Sequence, residues 1–101
     1  MASRIELQTK LEEILGSRNV YFQPPASLRM NYPAIVYKLS GFKYKNANNS
    51  KYDVVRSYTV TLIDSDHESR FLNDILRIPY CSFDRQFISD NLYHFTFTLY
   101  F

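Results

Sequence analysis

At 101 residues the chain is sized for one domain with a single core, and 46% apolar with 22% charged residues is ordinary globular composition. A formal net charge of +2, from 12 basic and 10 acidic residues, supplies no basic field of the kind that gathers nucleic acid. One cysteine, Cys81, excludes an intramolecular disulfide, and two glycines, Gly16 and Gly41, exclude a glycine-rich phosphate loop and the common nucleotide folds with it.

Nothing in the sequence approaches the roughly 20 apolar residues of a membrane span. Residues 1–16 lack the apolar run and small-residue site of a signal peptide. The expectation is a chain made and kept in the cytoplasm, its thiol reduced. Aromatic content is the departure from the ordinary: 17%, with 9 Tyr, 8 Phe and no Trp. Tyrosine tolerates half-burial because its ring packs while its hydroxyl stays wet. Two readings stand open, a partner surface and the needs of a small β core.

In chain order, Ser3 and Glu6 have capping-box spacing, followed by Leu7, Leu11, Ile14 and Leu15 on one helical face and Gly16 at the C-cap position. This predicts a helix over about 4–15. Val20–Phe22 is a short apolar run stopped by Pro24-Pro25, an edge or entry strand. Residues 23–33 hold three prolines and read as an ordered loop. Ala34–Phe42 alternates Ile35, Tyr37 and Leu39 against Val36, Lys38 and Ser40, a strand in which Gly41 marks a bulge or a close approach. Lys45–Asp53 is the most polar stretch and is expected to be a long, mobile hairpin loop. Val54–Ile63 alternates Tyr58, Val60 and Leu62 against Ser57, Thr59, Thr61 and Ile63, and should pair antiparallel with 34–44.

Ser65 and Glu68 form a second capping-box pattern, and Phe71, Leu72, Ile75 and Leu76 give the stripe of a helix over about 66–77, ended by Pro79. Tyr80–Phe87 alternates Cys81, Phe83, Arg85 and Phe87 against Tyr80, Ser82, Asp84 and Gln86. Asp90-Asn91 turns the chain into a last strand that buries Tyr93, Phe95, Phe97, Leu99 and Phe101. Its other face, Leu92, His94, Thr96, Thr98 and Tyr100, is too amphipathic to be merely solvated and is expected to be covered by helix, sheet or another subunit. The order is α-β-β-β-α-β-β. The fold class is α+β, a mostly antiparallel sheet of four to five strands with two helices packed on one face.

Chemistry finds little support. Neither His67 nor His94 has a second ligand at metal spacing. A Cys81–His94 couple fails on register, since a turn at 88–91 sets Cys81 opposite Thr98. Asp64, Asp66 and Glu68 admit a divalent-metal reading, yet capping accounts for Glu68. Lys43, Lys45 and Lys51, interleaved with Phe42, Tyr44 and Tyr52, allow contact with nucleic-acid phosphate and bases or with an acidic protein surface; a solvated hairpin stem explains them as well. No catalytic residue, metal or cofactor is expected.

The segments NYPAIVYKL (31–39), YTVTLIDSD (58–66) and PYCSFDRQFISDNLYHFTFTLYF (79–101) resemble small tail terminator, or tail completion, proteins of long-tailed bacteriophages, the versions from phages and prophages of Gram-positive bacteria above all. The resemblance spans about Tyr32 to Phe101. It implies a homo-oligomeric ring, six subunits in that family, at the head-proximal end of the tail tube. Such a ring stops tube polymerisation and offers the head-docking surface. The partners implied are the tail tube protein and the head–tail connector or stopper, with DNA passing through the lumen without specific binding and no membrane involved. The location implied is the neck of the virion, with host cytoplasm during assembly. Expected subunit contacts are Phe42, Lys43, Tyr44, Lys45, Lys51 and Tyr52 of the hairpin, Ser57, Thr59 and Thr61 of the following strand, and His94, Thr96, Thr98 and Tyr100 of the last one. Competing readings are a connector or stopper protein, a host adaptor domain, and a small nucleic-acid-associated metal-dependent enzyme.

Overall fold

A computed structural model describes residues 4–25, 29, 31–47 and 51–101, with the side chains of 43–47 and 51–54 outside the description. Seven elements follow one another: α1 (Arg4–Leu15), β1 (Val20–Phe22), β2 (Ala34–Ala47), β3 (Lys51–Asp64), α2 (Leu72–Leu76), β4 (Cys81–Ser89) and β5 (Leu92–Tyr100). The strands form one sheet in the order β1-β2-β3-β5-β4. Only β1 is parallel to its neighbour; β2/β3, β3/β5 and β4/β5 are antiparallel. The expected α+β class and element order are what the chain adopts.

One face of the sheet carries the core. Ile35 and Tyr37, Tyr58, Val60 and Leu62, and Phe95, Phe97 and Leu99 stack across three neighbouring strands by register. Leu7, Leu11 and Leu15 of α1 and Ile75 of α2 close over them, so both helices lie on this one side. Leu7 and Leu11 are fully buried, each contributing about 1.5–3 kcal/mol of transfer free energy. Gly16 takes φ +73 and returns its N–H to Glu12 O at 2.9 Å, the left-handed helix end that a glycine makes easy. The Ser3 half of the first capping box lies outside the described residues.

Tyr37 ties helix to sheet. Its hydroxyl donates to Gln8 Oε1 at 2.5 Å and accepts from Arg4 Nη1 at 3.3 Å. Gln8 Nε2 donates in turn to Val20 O at 3.0 Å, fixing β1 to the same helix. The Arg4 guanidinium sits 4.6 Å from the Phe22 ring centroid.

Four expectations need correction. The helix over 66–77 shrinks to Leu72–Leu76, with no side-chain cap at its N-terminus. Short-range acceptors upstream outcompete helical turns. Asp64 Oδ1 takes the Asp66 N–H at 3.3 Å, Asp66 Oδ1 takes the Glu68 N–H at 3.0 Å, and the Ser69 hydroxyl donates to Asp64 Oδ2 at 2.8 Å. The capping box of Ser65 and Glu68 does not form, and His67 lies in this loop. Second, the hairpin loop of 45–53 is mostly strand: pairing continues through Lys45↔Asp53 and Asn46↔Tyr52 to Ala47↔Lys51. Residues 48–50 lie outside the description.

Third, the β4/β5 register sets Cys81 opposite Leu99, not Thr98: the two-residue turn of Asp90 (φ 53) and Asn91 (φ 62), closed by Ser89↔Leu92, would by itself bring Tyr100 opposite Cys81, and the bulge at Asp84 takes the register back by one residue. Fourth, the alternation of β4 breaks at Asp84, where the register shifts between Phe83 and Arg85. Cys81 and Phe83 share the helix side with Gln86 and Ile88, while Arg85 and Phe87 fall on the opposite side. The β5 threonines hold this bulge: Thr98 Oγ1 donates to Asp84 Oδ2 at 2.7 Å and Thr96 Oγ1 to Arg85 O at 3.1 Å. A like bulge in β2 lies between Leu39 and Gly41, as the glycine implied, with the Ser40 hydroxyl donating to Ser57 O at 2.9 Å.

Candidate assembly interface

Three surfaces meet at the outer parts of the sheet. The first is the side away from the helices. Lys38, Thr59, Thr98 and Ser82 lie in one row across four strands, and Val36, Thr61, Thr96 and Arg85 in the next. Ser57 and Tyr100 extend the array at one end. At the other, His94 and Phe87 stack with centroids 4.8 Å apart and planes inclined by 20°. The Arg85 guanidinium lies 5.0 Å from the same Phe87 ring, and His94 Nδ1 is 3.1 Å from Leu92 O. The expected contact residues Ser57, Thr59, Thr61, His94, Thr96, Thr98 and Tyr100 are thus brought together, each half-buried. The expectation that helix or further sheet of this chain covers them is corrected: both helices are on the other side.

The second surface is the β2–β3 arm. β5 pairs with β3 only from Ser57 to Asp64, and β1 pairs with β2 only from Ile35 to Tyr37. From Phe42 to Ala47, β2 and β3 therefore pair with each other alone among the described strands, a ribbon of about 20 Å at ~3.3 Å per residue. The molecule measures 51 × 25 × 23 Å, and its radius of gyration of 14.6 Å exceeds the roughly 13 Å of a compact chain this long. Phe42, at the root of the arm, is 50% exposed. Lys43, Tyr44, Lys45, Lys51 and Tyr52 pair along the arm with their side chains outside the description.

The third surface escaped sequence reasoning. β4 is the outer strand at one edge, and beside it lie Tyr80 (81% exposed), Ile88 (65%) and Phe83 (47%). Phe83 keeps an edge-to-face contact with Phe97, centroids 5.6 Å apart, while its outer side faces solvent. Tyr80 holds φ 61, a left-handed geometry uncommon for a bulky residue, and its carbonyl accepts the Tyr100 N–H at 3.1 Å. The only sequence signal was apolar residues on both faces of 80–88, which makes sense once the bulge at Asp84 is allowed.

Cys81 and His94 sit on opposite sides of the sheet, so they form no couple. Cys81 is half-buried, and burial, with the Asp84 charge second, pushes its thiol up to about 11. Among the described residues no three His, Cys, Asp or Glu side chains group to hold a metal ion, and Asp64 and Asp66 spend carboxylate oxygens on loop amides. No described helix is long and apolar enough to cross a membrane. No protein-family model, curated protein or solved structure matches the chain.

Proposed function

We propose that this chain is a structural ring protein, a tail terminator that caps the head-proximal end of a long-tailed bacteriophage tail tube and offers the docking surface for the filled head. The observation that carries the reading is the arm, which no other described strand pairs with, beside a polar sheet face. An isolated two-stranded ribbon is marginal in water, so a ribbon this long is best explained by a surface it packs against. A face built of threonine, serine and tyrosine over a well-packed core suits contact with another protein: it is wettable before assembly and flat enough to pack afterwards. The sequence resemblance over 32–101 supplies the identity of the ring and its six-fold count.

In this reading each subunit gives its arm to one neighbour and receives another's, the heterologous contact from which closed rings are made. The work is done by packing and hydrogen bonding, with no bond broken and no cofactor required. Size-exclusion chromatography with light scattering, alone and with isolated tail tubes, tests it. Ring formation in solution, or decoration of one tube end, is expected. A chain that stays monomeric at high concentration and binds no tube would overturn the reading.

A further inference from the structure

We infer that the edge strand β4 is the acceptor for the β2–β3 arm, the outer edge of β2 from one copy pairing antiparallel with β4 of the next; this rests on the reading of the chain as a ring-forming protein. The topology makes the junction possible without a twist of roles. β1 occupies the outer edge of β2 at 35–37, and the Gln23 side chain takes the Leu39 N–H at 3.2 Å. Beyond that point, from Ser40 to Ala47, no other described strand pairs with this edge. β4 lies at the opposite edge with its outer side equally unpaired among the described residues.

Directions match as well. β2 runs antiparallel to β3, β3 to β5 and β5 to β4, so β2 and β4 run in opposite senses. Placing like-oriented copies side by side therefore sets β4 of one against β2 of the next as an antiparallel pair, helices on the same side throughout.

The faces agree. Register places Phe42, paired with Arg56, on the helix-bearing side at the root of the arm. That is the side on which β4 shows Phe83 and Ile88, 47% and 65% exposed. On the opposite side β4 carries the Asp84 carboxylate, held against Thr98 Oγ1. Arg85, on that same side, is stacked over Phe87. An edge of nine residues with exposed aromatic and aliphatic side chains invites pairing, and its one bulge leaves most of its length available.

The test is disulfide trapping in a Cys81→Ser background. Gln86→Cys on the helix-bearing side of β4 is combined with Tyr44→Cys or Asn46→Cys on the arm, since cross-strand partners lie within disulfide reach. Mild oxidation is expected to give a ladder of covalent multimers. Each single cysteine alone should give at most dimers. Adding Ile88→Lys, at an exposed position that leaves the fold intact by circular dichroism, should abolish the ladder. Self-association that persists with no arm-to-β4 ladder overturns this pairing and leaves the ring reading standing. A chain that neither associates nor cross-links, alone or on tail tubes, overturns both.

Discussion

Tyr37→Phe isolates the contact that fastens α1 to the sheet. The ring is fully buried between Phe22 and Tyr58, with centroids at 5.0 and 6.0 Å, and phenylalanine keeps both contacts and opens no cavity. What goes is the hydroxyl, with its bond to Gln8 Oε1 at 2.5 Å and the weaker one from Arg4 at 3.3 Å. Arg4 is half-exposed and recovers water, whereas Gln8 keeps only its donor bonds to Val20 O and Glu12 Oε2. One net hydrogen bond plus a partly buried acceptor left unpaired amounts to about 1–2 kcal/mol. For a domain of this length that is a Tm lowered by roughly 5–15 °C.

The pH dependence gives a second readout. Burial holds the Tyr37 phenol above its ordinary value of 10.0, outweighing the lowering effect of Arg4. The unfolded chain therefore ionises first, and the hydroxyl's contribution is complete below about pH 10 and declines as pH rises above it. Urea melts from neutral pH to beyond pH 10 should show the wild-type and Tyr37→Phe curves converging at the alkaline end. An unchanged midpoint at neutral pH, or a constant gap throughout, would refute the assignment of a buried, bonded hydroxyl.

Other expectations follow from the same geometry. The Cys81 thiol should alkylate slowly at neutral pH, with an iodoacetamide rate profile still rising toward about pH 11. Asp64→Ala frees Ser69 and the Asp66 amide and should cost about 1–2 kcal/mol by chemical denaturation, while Asp66→Ala, which frees one exposed amide, should cost less. If the two changes instead abolish a metal-dependent activity and leave stability untouched, the loop has a catalytic role and the structural reading is wrong. At Asn91, φ 62, glycine should be neutral or slightly stabilising, and valine should cost about 1–2 kcal/mol in the same measurement. Deleting 93–101 removes Phe95, Phe97 and Leu99 from between β3 and β4 and should abolish the circular-dichroism signature of folding; a folded product would mean the core lies elsewhere.

Periodicity by itself determined the inward faces. Ile35 and Tyr37, Tyr58, Val60 and Leu62, and Phe95, Phe97 and Leu99 are where alternation puts them, because a pleated strand has no other way to bury every second residue. Gly16 and Asp90-Asn91 likewise announced a helix end and a turn, since each residue type tolerates the positive φ required. Of the expected contact residues, the threonine, serine and His94 side chains were legible for the same reason, as the faces left over.

What the tertiary structure decided is everything that depends on a neighbour. The single residue Asp84, bulged out and held by Thr98, moved Arg85 and Phe87 to the far face and left Phe83 and Ile88 on the near one. The loop carboxylates of Asp64 and Asp66 took the amides that a longer helix needed, a competition that spacing alone does not rank. The polar stretch 45–53 read as a loop because its composition carries no alternation, yet Asn46, Ala47 and Lys51 pair in register once the strands on either side are aligned. Strand order, with β5 placed between β3 and β4, left β4 as the open edge and the arm beyond the sheet. An edge is defined by what is not beside it, and no local pattern of residues records that.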